Sequence, residues 1–215
     1  MSSDKQLFSR LPKGMTLPWH VGFDGKVNTR DAENLPFMYW PNRVPCLEAN
    51  AYMISLLQKG LSRRNRGGTI AEYAKNISPL LRFCHINELK FIDFTDNYFT
   101  LFIRGLQALN VEGEKQRSCN EVLKIGRRCI DFMFYLAGFH STDNLIGEEN
   151  CSITVNRNEF IRVSKSNKKF RQKYWTHESF PDPDPVLRRH PISNDVVKAL
   201  KKTAGNIDDK GLRLR

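Results

Sequence analysis

Residues 69–84 read TIAEYAKNISPLLRFC, and this stretch decides the fold. Ile70, Ala74, Ile77, Leu81 and Cys84 recur close to every 3.6 residues, so they line one face of an amphipathic helix. Thr69 followed three residues later by Glu72 is a capping-box signature for its start. Pro79 falls inside the stripe and predicts a kink or an early end, because proline lacks an N–H and crowds the preceding turn.

Three more helices lie on either side. The first covers about Cys46–Lys59, with Leu47, Tyr52, Ile54, Leu56 and Leu57 as its apolar surface and Gly60 as its stop. The third begins near Thr95 and runs through Leu101, Phe102 and Leu106 to about Asn110. The fourth begins at Ser118, with Glu121 completing a second capping box and Val122, Ile125, Cys129, Phe132, Met133 and Leu136 on one side. Residues 46–140 therefore predict one small helical bundle. On another side of the fourth helix Lys124, Arg127 and Arg128 stand at i, i+3 and i+4. A charged stripe is ordinarily a solvated helix face. This one shares its bundle with the basic loop Arg63-Arg64-Asn65-Arg66-Gly67-Gly68, which favours a common anion-binding surface.

Residues 1–45 hold Pro12, Pro18, Pro36, Pro41 and Pro45 around Trp19, Phe37, Tyr39 and Trp40. Proline at that density breaks helices, so this segment reads as an extended arm with an anchoring aromatic patch. Residues 141–190 read as a basic, proline-rich linker. Its short β-prone runs are Ser152–Val155 and Phe160–Val163, and Lys165–Lys173 carries five cations with no acid. Pro181, Pro183 and Pro185 stiffen it. Ser193 then caps a last helix, with Val196, Val197 and Leu200 expected buried and Lys198, Lys201 and Lys202 exposed. The ending at Arg215 reads as a cut.

The 215 residues carry a net charge of +11, of which +8 falls from residue 151 onward. Such an excess favours polyanions through steering and counterion release. With 40% hydrophobic residues and 14 Phe, the chain can build an ordinary core and is not wholly disordered. No apolar run approaches a membrane span and the start lacks a signal-peptide apolar region, so a cytoplasmic protein is expected, nucleoid-associated if prokaryotic. The five cysteines form no C-x-x-C and have no histidine at zinc-ligand spacing, which assigns them to packing. There is no P-loop, no G-x-G-x-x-G, no G-x-S-x-G and no H-E-x-x-H. No cofactor, metal, small-molecule substrate or self-sufficient catalysis is expected.

The arrangement resembles the N-terminal half of a tyrosine recombinase, or phage-type integrase. The resemblance rests on Thr69 to Tyr73 with the following Leu80-Leu81-Arg82-Phe83, and on Phe91-Ile92-Asp93-Phe94-Thr95 before the third helix. It also rests on Val122-Leu123 through Phe132-Met133-Phe134-Tyr135-Leu136, and on Arg188-Arg189-His190-Pro191-Ile192-Ser193. It covers about 46–140 and 188–202, and the order of the motifs carries more weight than any one of them. It implies a mainly α chain: an extended arm over 1–45, a four-helix, SAM-like core-binding domain over 46–140, a basic linker over 141–190 and the first helix of a truncated catalytic domain over 191–215. The family grips duplex DNA in a C-shaped clamp and cuts it with a tyrosine. Here no histidine has an arginine three residues on, and no tyrosine follows Tyr174. Arg213 in Gly211-Leu212-Arg213 matches the family's t-G-l-R-x-x-E arginine only superficially and comes too soon after the helix that Ser193 caps. Strand cleavage is therefore expected to lie outside this chain, which would be inactive alone.

On this reading the partner is duplex DNA, and the arm is a candidate contact between copies assembled on it. The DNA-binding residues expected are Arg63, Arg64, Arg66, Thr69, Tyr73 and Lys75 at the start of the second helix, then Lys124, Arg127 and Arg128. Lys165, Lys168, Lys169, Arg171 and Lys173 would track the backbone along the linker. Tyr73 reads equally as a core residue. Replacing Arg63 and Arg64 should reduce the salt slope of binding by about 0.9 for each phosphate no longer neutralised. Two other readings stand beside this one: a nucleic-acid-binding regulator outside the recombinases, and a protein-interaction module centred on the arm.

Overall fold

The computed structural model describes residues 6–64, 68–108, 116–163, 169–185 and 193–205. The chain divides into two compact units, Met1–Pro183 and Asp184–Arg215. The first unit opens with strands β1 (Phe8–Arg10), β2 (Thr16–Val21), β3 (Val27–Asp31) and β4 (Pro36–Met38). Helices α1 (Leu47–Gln58), α2 (Thr69–Ile86), α3 (Asp96–Leu106) and α4 (Cys119–Phe139) follow, with a 3-10 turn at Phe91–Asp93. It closes with β5 (Ile146–Gly147), β6 (Ile153–Thr154), β7 (Asn156–Val163) and β8 (Lys169–Thr176). The second unit contributes α5 (Asn194–Gly205). The expected mainly α chain is thus a mixed one, whose described strands pair as β1–β4, β2–β3, β5–β6 and β7–β8.

Helices α1 to α4 bury their apolar faces in one core, where Phe94, Phe99 and Phe132 are among the fully buried side chains. Burying a side chain of that size is worth about 1.5–3 kcal/mol. That scale explains why α2 continues past Pro79 to Ile86, so that the early end allowed for does not occur. An internal proline costs about 3 kcal/mol, but stopping there would forfeit the burial of Leu80, Leu81 and Cys84 beyond it. The α2 cap also differs from expectation. Gly68 is the N-cap and Thr69 the first helical residue, and Glu72 turns to Lys124 on α4. At α4 the expected cap holds, with Ser118 Oγ accepting from the Glu121 N–H at 3.1 Å. Gly60, with φ +78°, ends the first helical segment. Leu47 is 70% exposed, so it is no part of α1's buried face.

The backbone before α1 is paired and anchored. β2 and β3 form a hairpin, β1 pairs with β4, and Leu7, Ala32, Leu35 and Met38 are buried. Asn50 of α1 fixes β4 to the helix: its Oδ1 accepts from the Met38 N–H at 2.7 Å while its Nδ2 donates to the Met38 and Cys46 carbonyls. Trp40 stacks on Phe91 with ring centroids 5.3 Å apart.

After α4, the sequence read as a linker contains a long antiparallel hairpin, β7 against β8, in register from Asn156↔Thr176 to Val163↔Lys169. Its far end is locked by His177, which is buried. The Ser179 N–H donates to His177 Nδ1 at 3.1 Å, leaving Nε2 to donate to Asp96 Oδ1 at 3.0 Å, at the start of α3. Phe180 then covers α4 so closely that a Cβ on Gly126 would sit 2.5 Å from its ring. In the second unit Ser193 Oγ accepts from the Val196 N–H, but Val196 and Leu200, expected buried, are 49% and 59% exposed.

Candidate nucleic-acid interface

Helix α4 and strand β8 enclose a groove of about 580 Å³. Asn120, Lys124, Arg127, Arg128 and Asp131 of α4 line one side; Lys173, Tyr174 and Trp175 of β8 line the other. Residues 120, 124, 127 and 131 follow the four-and-three spacing of one helix face. The hairpin therefore brings Lys173 to the same groove as the α4 cations, across more than forty residues of sequence.

Most of these cations have fixed partners. Lys124 Nζ donates to Glu72 Oε2 at 2.6 Å, and Arg128 Nη1 donates to Asp131 Oδ2 at 2.9 Å and to the Tyr73 hydroxyl at 2.7 Å. Lys173 pairs with Glu159 at 3.0 Å. Lys124 holds the Glu72 carboxyl below its ordinary value. Burial pushes the Asp131 carboxyl above its ordinary value, and the hydrogen bond from Arg128 only partly opposes this. Half-exposed pairs of this kind contribute about 0.2–1 kcal/mol each. Their larger effect is to leave the groove nearly charge-compensated, so an incoming anion must compete with carboxylates.

Arginine–aromatic stacks build the rest. The Arg127 guanidinium lies 4.6 Å from the centre of the Tyr174 ring, Arg128 lies 4.2 Å from Tyr73 and Arg157 lies 5.7 Å from Trp175. Trp175 also packs on Phe134 of α4 at 4.8 Å. Among the described residues no carboxylate pairs with Arg127, and its Nε is buried without a hydrogen-bond partner. A buried donor left unpaired costs about 1–3 kcal/mol.

The other expected residues fall elsewhere. Arg63 donates to Asp31 Oδ2 at 2.9 Å and to the Glu33 carbonyl at 3.0 Å, tying the loop before α2 to the end of β3. The Glu33 backbone N–H and then Arg63 hold the Asp31 carboxyl below its ordinary value. Arg64 and Thr69 are exposed beside the start of α2. Lys75 lines a separate cavity of about 320 Å³ with Arg82, Arg117 and the buried Asn76. Arg66, Lys165 and Lys168 lie outside the described residues. The Lys169 and Arg171 backbones lie in β8, opposite Val163 and Ile161.

Sequence reasoning missed Asp131, Glu159, Arg157, Tyr174 and Trp175. Two signals were there to read: Asp131 three residues after Arg128 on a helix, and an aromatic pair directly after the basic run. Cys46 and Cys84 are buried thiols whose burial pushes each up to about 12, and none of the five cysteines is in a disulfide. Among the described residues no group of three or more His, Cys, Asp or Glu could hold a metal ion, and no helix is long and apolar enough to cross a membrane. Compared with protein-family models, with curated proteins and with solved structures, the chain finds no match in any of the three.

Proposed function

We propose that this chain is the DNA-gripping N-terminal part of a tyrosine recombinase, binding duplex DNA through the groove between α4 and β8, with strand cleavage carried by sequence outside it. In this reading α1 to α4 are the core-binding bundle, and α5 is the opening helix of the catalytic domain. One observation carries the proposal: Lys124, Arg127, Arg128 and Lys173 converge on a single groove from two elements far apart in sequence. Convergent Lys and Arg donors on a helix face and a β-ribbon suit phosphates flanking a major groove. The motif order from Thr69 to Ser193 supplies the recombinase part of the proposal.

The aromatic residues favour a duplex over single strands or RNA. Readers of single strands present open ring faces on which bases stack. Here a guanidinium already covers a face of Tyr73, of Tyr174 and of Trp175. The direct test is a competition: labelled random-sequence duplex bound to the chain, challenged with unlabelled duplex, single-stranded DNA and structured RNA at equal phosphate concentration. Duplex as the strongest competitor supports the proposal, and RNA or single strands displacing it more effectively would replace it with the regulator reading.

A second reading, assembly through the arm, draws on the tip of the β2–β3 hairpin. There Val21, Phe23 and Val27 are all exposed, Phe23 fully. Concentration-dependent light scattering without DNA, abolished by Phe23→Ser, would favour that reading.

A further inference from the structure

Arg127 differs from its neighbours in the groove in what holds it. Lys124, Arg128 and Lys173 are each fixed by a carboxylate. Arg127 is fixed by a ring: its guanidinium lies over Tyr174 at 4.6 Å. Its Nε is sealed from water, which leaves the two Nη groups as the donors it can present. Among the described residues no carboxylate pairs with Arg127, so an anion arriving there meets less competition than at Lys124, Arg128 or Lys173.

The ring itself is held in place from both sides. On one side Lys173 pairs with Glu159 across the hairpin at 3.0 Å. On the other Trp175 packs on Phe134 at 4.8 Å, and two residues further on His177 is locked to Asp96 at 3.0 Å. Tyr174 therefore cannot slide along α4 without breaking a contact on either flank. An arginine ordinarily gives up much side-chain freedom when it binds, and a guanidinium already ordered on a ring gives up less.

We infer that Tyr174 is a positioning residue, holding the Arg127 guanidinium pre-set as a fork for a backbone phosphate. The inference rests on the reading that this groove binds duplex DNA. It makes the β7–β8 hairpin part of the binding machinery through a residue that carries no charge.

A double-mutant cycle on the full chain tests it, with binding of a random-sequence duplex measured across a salt series for the wild type, Tyr174→Leu, Arg127→Ala and the double variant. Tyr174→Leu should weaken binding about fivefold while keeping the slope of log K against log[salt], because the cation remains. Arg127→Ala should lower that slope by about 0.9. In the Arg127→Ala background, Tyr174→Leu should have no further effect. An additive second loss would mean that Tyr174 acts on the fold or on DNA by itself, and would overturn the inference, as would wild-type affinity in Tyr174→Leu. A wild type without salt-dependent binding would overturn the DNA reading and this inference together. Should Tyr174→Leu fail to fold, exchange of the Arg127 Nε proton, followed by NMR in the wild type and in Tyr174→Phe, decides the matter. Slow exchange in both supports ring-held ordering, and fast exchange in the wild type contradicts it.

Discussion

Arg63 and Arg127 carry the same charge, and both were expected at the interface, yet their surroundings give them different work. Arg63 is spent on Asp31 and the Glu33 carbonyl, a bond between a loop and a hairpin. Arg63→Ala should therefore lower the urea midpoint and leave the salt slope of DNA binding unchanged, whereas Arg127→Ala should lower the slope. Equal losses of slope in the two variants would return Arg63 to the interface. Asp131 gives a pH signature. Its carboxyl is raised by burial, while Glu72 is held low by Lys124. When Asp131 takes up a proton on acidification, it releases Arg128. The same raised value means that the folded state holds this proton more tightly than the unfolded chain does. Any stability from it is full at low pH and is lost as pH rises through the folded value. As the pH falls through the Asp131 value, the wild type should thus tighten on DNA more than Asp131→Asn does. Asp131→Asn should bind more tightly than the wild type at pH 7, and a weaker-binding variant would show that Asp131 orders Arg128 for binding instead of competing with DNA.

Among the elements, the helices were legible and the hairpin was not, for a physical reason. Stripes at the helical period and caps such as Ser118 and Gly60 are local signals, readable within a few residues. The pairing of Arg157 with Trp175 joins residues far apart in sequence and depends on register, which local composition does not encode. A run dominated by Lys and Arg reads as solvated linker until its partner strand is known. Pro79 shows the opposite case, in which a local stop signal does not end the helix because burial continues on both sides of it. Gly126 is a position where helix and strap meet. Gly126→Ala would drive a methyl into the Phe180 ring at 2.5 Å. Overpacking of that kind costs about 1–3 kcal/mol, so the urea midpoint should fall, although alanine is the better helix former. An unchanged or higher midpoint would mean that the strap from His177 to Phe180 yields easily.

Across the whole molecule, the charge and the α4 stripe were readable from residues alone, but the site was only half visible. Lys124, Arg127 and Arg128 could be found by spacing. That Lys173 joins them, that Glu72, Asp131 and Glu159 compensate three of the four, and that Tyr174 holds the fourth all depend on tertiary contacts. The +11 charge therefore overstates the open positive surface at the groove. In the proposed reading, Arg127 offers a phosphate the opening contact and the paired cations follow as their carboxylates are displaced. The most direct measurement is binding of the full chain to random-sequence duplex DNA over a salt series. Binding at about micromolar strength or tighter with a steep negative slope, reduced by about 0.9 in Arg127→Ala, is the result expected for phosphate contacts made here. Absent binding, or binding indifferent to salt, would contradict the DNA-gripping function.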